Sequence, residues 1–83
     1  MLNLNDTGIQ DKEVDKICSY LPKAKKLTQI LLKNNFITNK GAIKLIKALM
    51  KSKIKVLDFT KNQINKSVFQ HVTSLVQVQR YSM

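Results

Sequence analysis

Two rhythms of apolar and polar residues follow each other along this chain, and the pair recurs. In the middle of the chain Ile30 and Leu32 alternate with Gln29, Leu31 and Lys33. A period of two predicts a short strand with one face turned inward. Asn34-Asn35-Phe36-Ile37 follows, turn chemistry enclosing one more inward apolar residue. Thr38 is placed to cap a helix. From Asn39 to about Met50, Ala42, Leu45, Ile46 and Leu49 fall at i, i+3, i+4 and i+7. That spacing predicts one stripe of an amphipathic helix, with Lys40, Lys44, Lys47 and Lys51 mostly off it.

The same strand–turn–helix string appears three times. The middle copy reads Leu27, Ile30, Leu32, Asn35, Ile37, Gly41, Leu45 and Leu49. A step forward of 27 gives Ile54, Leu57, Phe59, Asn62, Ile64, Val68, Val72 and Val76, and a step back of 28 gives Leu2, Leu4, Thr7, Ile9, Glu13, Ile17 and Leu21. The first helix is expected from about Asp11 to Leu21, with Val14, Ile17, Cys18 and Leu21 as its stripe. Pro22 blocks its continuation. The third unit predicts a strand near Val56 to Thr60 and a helix from about Lys66 to Gln77, with Phe69 and Leu75 beside its valine row. Its β-branched residues make that helix the weakest of the three. Residues 78–83 either extend it or form a small closing segment. A repeat of this length predicts stacked units, each hiding its apolar face against its neighbours. We expect one domain over residues 1–83, with units at about 1–26, 27–53 and 54–77 and a tail or cap at 78–83.

The string Leu27-x-x-Ile30-x-Leu32-x-x-Asn35-x-Ile37-x-x-x-Gly41-x-x-x-Leu45-x-x-x-Leu49 resembles the leucine-rich repeat, in the longer helical form typified by ribonuclease inhibitor. The likeness covers about residues 2 to 76. It implies an α/β fold, a right-handed β-α solenoid with a short parallel sheet on its concave face and helices on its convex face. It also implies that Asn35 and Asn62 turn inward at the strand ends, where their amides would serve backbone groups of adjacent turns. Thr7 stands where the first unit would carry that asparagine. Glu13 and Val68 replace the glycine represented by Gly41, so looser or redirected helix packing is expected there. Leu2 and Leu4 would leave an apolar end and an open strand edge, a route to self-association. Three units suit either a small module that pairs through this edge or a piece of a longer array.

Because Leu4, Leu32 and Phe59 point inward, their neighbours must point to the opposite face. These are Asn3, Asn5 and Asp6, then Gln29, Leu31, Lys33 and Asn34, then Val56, Asp58, Thr60 and Lys61, with Phe36 and Gln63 bordering from the turns. Asn3, Leu31 and Asp58 would form one row, Asn5, Lys33 and Thr60 a second, Asp6, Asn34 and Lys61 a third. A polar face with Leu31 as its single large aliphatic centre suits a protein contact, with Asp58, Lys33 and Asp6 setting charge register. The bland alternative is a row of merely soluble strand residues. Relatives of this repeat class act as scaffolds, as inhibitors and as effectors of intracellular bacteria.

Composition modifies this picture in one respect. The net charge is +10, carried by fourteen lysines and the single Arg80. Arginine is the residue favoured for base and phosphate recognition, so nucleic acid is disfavoured as a partner. The lysines, with short clusters at Lys23, Lys25, Lys26 and at Lys51, Lys53, Lys55, read first as a solvated surface, with a binder of nucleic acid or other acidic surfaces as the alternative function. No reaction is expected. Cys18 lies in a helical stripe, His71 has no partner at ligand spacing, and Gly8 and Gly41 fall in different units. No pair of residues has metal spacing and no cofactor is implied. Asp11, Glu13 and Asp15 open the first helix, where they suit its dipole. With one cysteine and no long apolar run, the chain is expected to be soluble, off the membrane, and in a reducing compartment such as the cytoplasm. For a bacterial effector that compartment would be the host cytosol.

Overall fold

The computed structural model describes residues 1–68, 70 and 80–82, the last three by backbone alone. Four strands, β1 (Leu2–Asn3), β2 (Gln29–Leu31), β3 (Val56–Asp58) and β4 (Arg80–Ser82), lie side by side in chain order. Every neighbouring pair is parallel. Parallel neighbours need a crossover of about a dozen residues or more, and helices supply it. Helix α1 (Asp11–Tyr20) joins β1 to β2, and α2 (Asn39–Leu49) joins β2 to β3. Residues 66–68 and 70 are helical. The remainder of the expected third helix, with Phe69, His71, Val72, Leu75 and Val76, lies outside the described residues.

Register follows the sequence spacing. Leu2 stands opposite Ile30, and Ile30 opposite Leu57, so equivalent positions of successive units face each other. The fourth strand breaks the rhythm, because Tyr81 stands opposite Leu57 after a shorter step than either. Of the two conformations open to the tail, residues 80–82 therefore take the closing segment.

One hydrophobic cluster lies between the helices and one side of the sheet. Ile30, Leu32, Leu57 and Phe59 enter it from the strands and their ends, Ile37 from a turn. Val14, Ile17 and Leu21 enter it from the first helix and the turn after it, and Ala42, Leu45, Ile46 and Leu49 from α2. Each large aliphatic group removed from water there contributes about 1.5–3 kcal/mol. Leu2 and Leu4 are only half-buried, since no described strand flanks β1 on its outer side. After α1, Leu21–Lys23 tightens into a 3₁₀ turn around Pro22, with the Ala24 N–H donating to the Leu21 carbonyl at 3.1 Å.

The helix starts differ from expectation. Thr38 holds the position just before α2, yet its side chain makes no capping bond. Its hydroxyl and its N–H (2.9 Å) both donate to the carboxylate of Asp11, the first residue of α1. Asp11 thus does more than suit its own helix dipole; it fastens the start of the next helix to its own. Asn39, the first residue of α2, repeats the device by accepting the Asn65 N–H at 2.6 Å.

Asp11 also explains Gly41. A Cβ there would lie 2.3 Å from Asp11 Oδ1 and 3.1 Å from Ile37 Cγ2, so the glycine makes room for the carboxylate. At the equivalent position of the first unit Glu13 turns back, and its Oε1 accepts the Gln10 N–H at 2.8 Å. Val68 is half-buried against the core.

Candidate functional site

A line of three side chains runs under the turns that follow the strands. Asn35, 4% exposed, lies at its centre. Its Oδ1 accepts the N–H groups of Thr7 (3.1 Å) and Ile9 (2.9 Å) in the preceding unit. Its Nδ2 reaches the carbonyls of Leu4 and Leu32, both at 3.0 Å. Asn62 does the same one unit later, accepting the Ile37 N–H at 3.0 Å and donating to Leu32 (2.8 Å) and Phe59 (2.9 Å). Thr7 keeps one of these bonds, its hydroxyl donating to the Leu4 carbonyl at 2.6 Å. The pattern 7 to 4, 35 to 32 and 62 to 59 is therefore common to all three turns. Only a group offering donors and an acceptor together can close such turns in a buried place.

These turns need one left-handed residue each. Asp6, Asn34 and Lys61 take φ of 57°, 57° and 59°, at equivalent positions of the three units. Aspartate and asparagine tolerate that region and lysine pays about 1 kcal/mol or more for it.

On the far side of the sheet from the core, the expected rows are set by the register. Asn3, Leu31 and Asp58 share one row there, and Gln29 and Val56 another; the backbone of Arg80–Ser82 pairs alongside β3. Leu31 and Val56 are both half-buried, so two aliphatic groups, not one, lie on this face. Asn3, Lys33, Asn34, Phe36 and Lys61 are exposed, with Phe36 at 55%.

Many of the polar groups are already engaged with one another. Asn5 Oδ1 accepts the Lys33 N–H at 2.7 Å, and Asn3 Oδ1 accepts the Asn5 N–H at 3.0 Å. Asp58 Oδ1 accepts both the N–H (2.8 Å) and the hydroxyl (2.7 Å) of Thr60. Asp6 accepts from the Asn34 amide. Asp6 and Asp58 are thus partly used within the fold, which leaves Lys33 and Lys61 as the more available charges.

Sequence reasoning left residues 78–83 between a helix extension and a small closing segment, and did not identify the fourth strand within them. Its one signal was the alternation of Arg80, Tyr81 and Ser82, polar, apolar, polar, at a step shorter than the repeat. Gln29, expected on the face, lies at the strand start, half-buried. Gln63 is drawn to the turn before α2 by its N–H, which donates to the Ile37 carbonyl at 2.9 Å.

The thiol of Cys18 is half-buried and touches the Lys44 carbonyl at 3.7 Å. Burial pushes its pKa up, Asp15 adds to the rise and Lys44 opposes it. A thiol held in its neutral form is a poor nucleophile. Among the described residues no group of three His, Cys, Asp or Glu side chains is placed to hold a metal ion, and no helix is long and apolar enough to cross a membrane. A scan against protein-family models found no match, and neither did a search of curated proteins.

Proposed function

We propose that this chain is a leucine-rich-repeat module of the ribonuclease-inhibitor-like kind, a short right-handed solenoid that binds a protein partner through its concave strand face. It carries out no reaction of its own. The observation that carries the reading is the agreement of two spacings. The apolar pattern recurs from Leu2 to Ile30 to Leu57, and the strands pair parallel through those same three residues. The asparagines at the strand ends, Asn35 buried and Asn62 half-buried, support it further, because each binds the preceding turn as well as its own.

The binding role rests on the chemistry of the exposed sheet face. Leu31 and Val56 offer apolar contact amid amide, hydroxyl and lysine groups, a mixture suited to a protein surface. Leu31 has the larger side chain and stands in the central row between Asn3 and Asp58. Burial of such an anchor under a partner is worth about 2 kcal/mol or more, roughly a thirtyfold change in Kd. The test is capture from cell extract, followed by Kd measurement on the captured protein, with wild type, Leu31→Asp and Lys47→Asp on the exposed side of α2. Leu31→Asp should lose at least thirtyfold and Lys47→Asp nothing. Unchanged binding by Leu31→Asp, with circular dichroism intact, removes the proposed contact.

A further inference from the structure

Parallel strands joined by helices place every helix-to-strand loop at one end of the sheet. In this chain that end is where the lysines concentrate. Lys23, Lys25 and Lys26 lie on the connection from α1 to β2, and Lys51, Lys53 and Lys55 on the one from α2 to β3; all six are exposed. The two loops are neighbours. Leu21, Pro22 and Lys25 face Lys51 and Lys53 across a shallow groove, and the Lys55 N–H donates to the Thr28 carbonyl at 2.8 Å.

None of the five acids belongs to these loops. Asp6, Asp11 and Glu13 occupy the opposite end, after β1 and in the first turn of α1; Asp15 is inside α1, and Asp58 closes β3. The ion pair found among the described residues, Lys44 with Asp15 at 3.1 Å, involves none of the six lysines. Their charges therefore add without internal compensation.

The same end carries exposed apolar groups. Tyr20, at the last turn of α1, is 51% exposed and Met50, just past α2, is 64% exposed. Met1, 72% exposed, borders Tyr20, Lys23 and Lys25. Of the four large apolar side chains left in water among the described residues, only Phe36 belongs to the other end.

We propose that this lysine-rich end docks peripherally on an anionic lipid surface. Six ammonium groups would meet the headgroups while Met1, Tyr20 and Met50 enter the boundary beneath them. Lysine suits a fluid array of phosphates and carboxylates, which demands charge and no fixed fork geometry. The apolar tips decide between polyanions. Methionine gains nothing from a nucleic-acid backbone and a duplex offers tyrosine no open base to stack on, whereas both gain by leaving water at a bilayer interface. This docking leaves the strand face free and does not depend on the function proposed for that face.

The experiment is flotation of the full chain with phosphatidylcholine vesicles, with and without about 30% phosphatidylserine. Each lysine near an anionic surface strengthens binding about fivefold. The triple variant Lys25→Glu/Lys51→Glu/Lys53→Glu should bind anionic vesicles about a hundredfold or more weakly. A strand-face control, Lys33→Glu/Lys61→Glu, should stay within a few-fold of wild type. Tyr20→Ser/Met50→Ser should abolish the binding that survives 0.5 M salt. Three results would overturn the proposal: equal binding to neutral vesicles, an equal loss from the strand-face control, or tighter salt-resistant retention on duplex DNA lost in the same triple variant. All substituted side chains are exposed, and circular dichroism checks that the fold is retained.

Discussion

Replacing Asn35 with alanine removes an amide that joins two turns, and its cost follows from which partners have a second bond. The Leu4 carbonyl keeps the Thr7 hydroxyl at 2.6 Å, and the Leu32 carbonyl keeps Asn62 at 2.8 Å. The Lys33 carbonyl keeps the Asp6 N–H at 3.0 Å. The N–H groups of Thr7 and Ile9 are the ones that lose their acceptor. An unsatisfied buried donor costs about 1–3 kcal/mol. Thr7 is exposed and water replaces part of its loss, while Ile9 is half-buried. With the space left at a site 4% exposed, the total comes to about 2–5 kcal/mol. A chain of 83 residues has roughly 4–12 kcal/mol of stability in all, so this one amide holds a large share. Urea unfolding followed by circular dichroism measures it, with the exposed Lys33→Ala as the control expected within about 0.5 kcal/mol. A loss below about 1 kcal/mol, or one no larger than the control's, would refute the inference that Asn35 closes both turns.

Gly41→Ala should destabilise by about 1–2 kcal/mol, although alanine in an ordinary helix gains about 1 kcal/mol over glycine. The new Cβ displaces an Asp11 carboxylate that holds Thr38. Asp11→Ala/Gly41→Ala should therefore cost less than the sum of its parts in a double-mutant cycle, and strict additivity would count against this contact. Cys18 should react slowly with iodoacetamide, its rate rising only at pH above that of an unfolded thiol, because burial and Asp15 oppose the thiolate. Asp15→Asn removes a repelling charge and should move the rate profile to lower pH; a shift upward would contradict the assignment. On the strand face proposed to bind a partner, Leu31→Asp should weaken binding at least thirtyfold without unfolding the chain.

Periodicity was enough to locate most of the framework. Ala42, Leu45, Ile46 and Leu49 are buried because residues at helical spacing share a face wherever the helix lies, and Ile30 and Leu57 follow from the period of two in the same way. The pairing offsets were also legible, since identical units stacked side by side must align at their repeat length. Thr38 shows where that logic stops. Its sequence position suits a cap, but its hydroxyl goes to a carboxylate of the preceding unit, on Asp11. No local pattern encodes that choice, because hydrogen bonds go to whichever partner folding brings within about 3 Å.

The strand face divides along the same line. Alternation assigned Asn5, Asp6, Asp58 and Thr60 to it, yet only the packed chain decided that these groups bond one another and their neighbours. Arg80–Ser82 joined the sheet at a shortened step, because an open strand edge accepts any extended segment with free N–H and C=O groups in reach. By itself the sequence determined which residues leave water and how far apart the units repeat, since both depend on spacing along the chain. Tertiary structure alone decided which polar groups are consumed within the fold and which charges remain outside it, because those outcomes depend on distances across the chain.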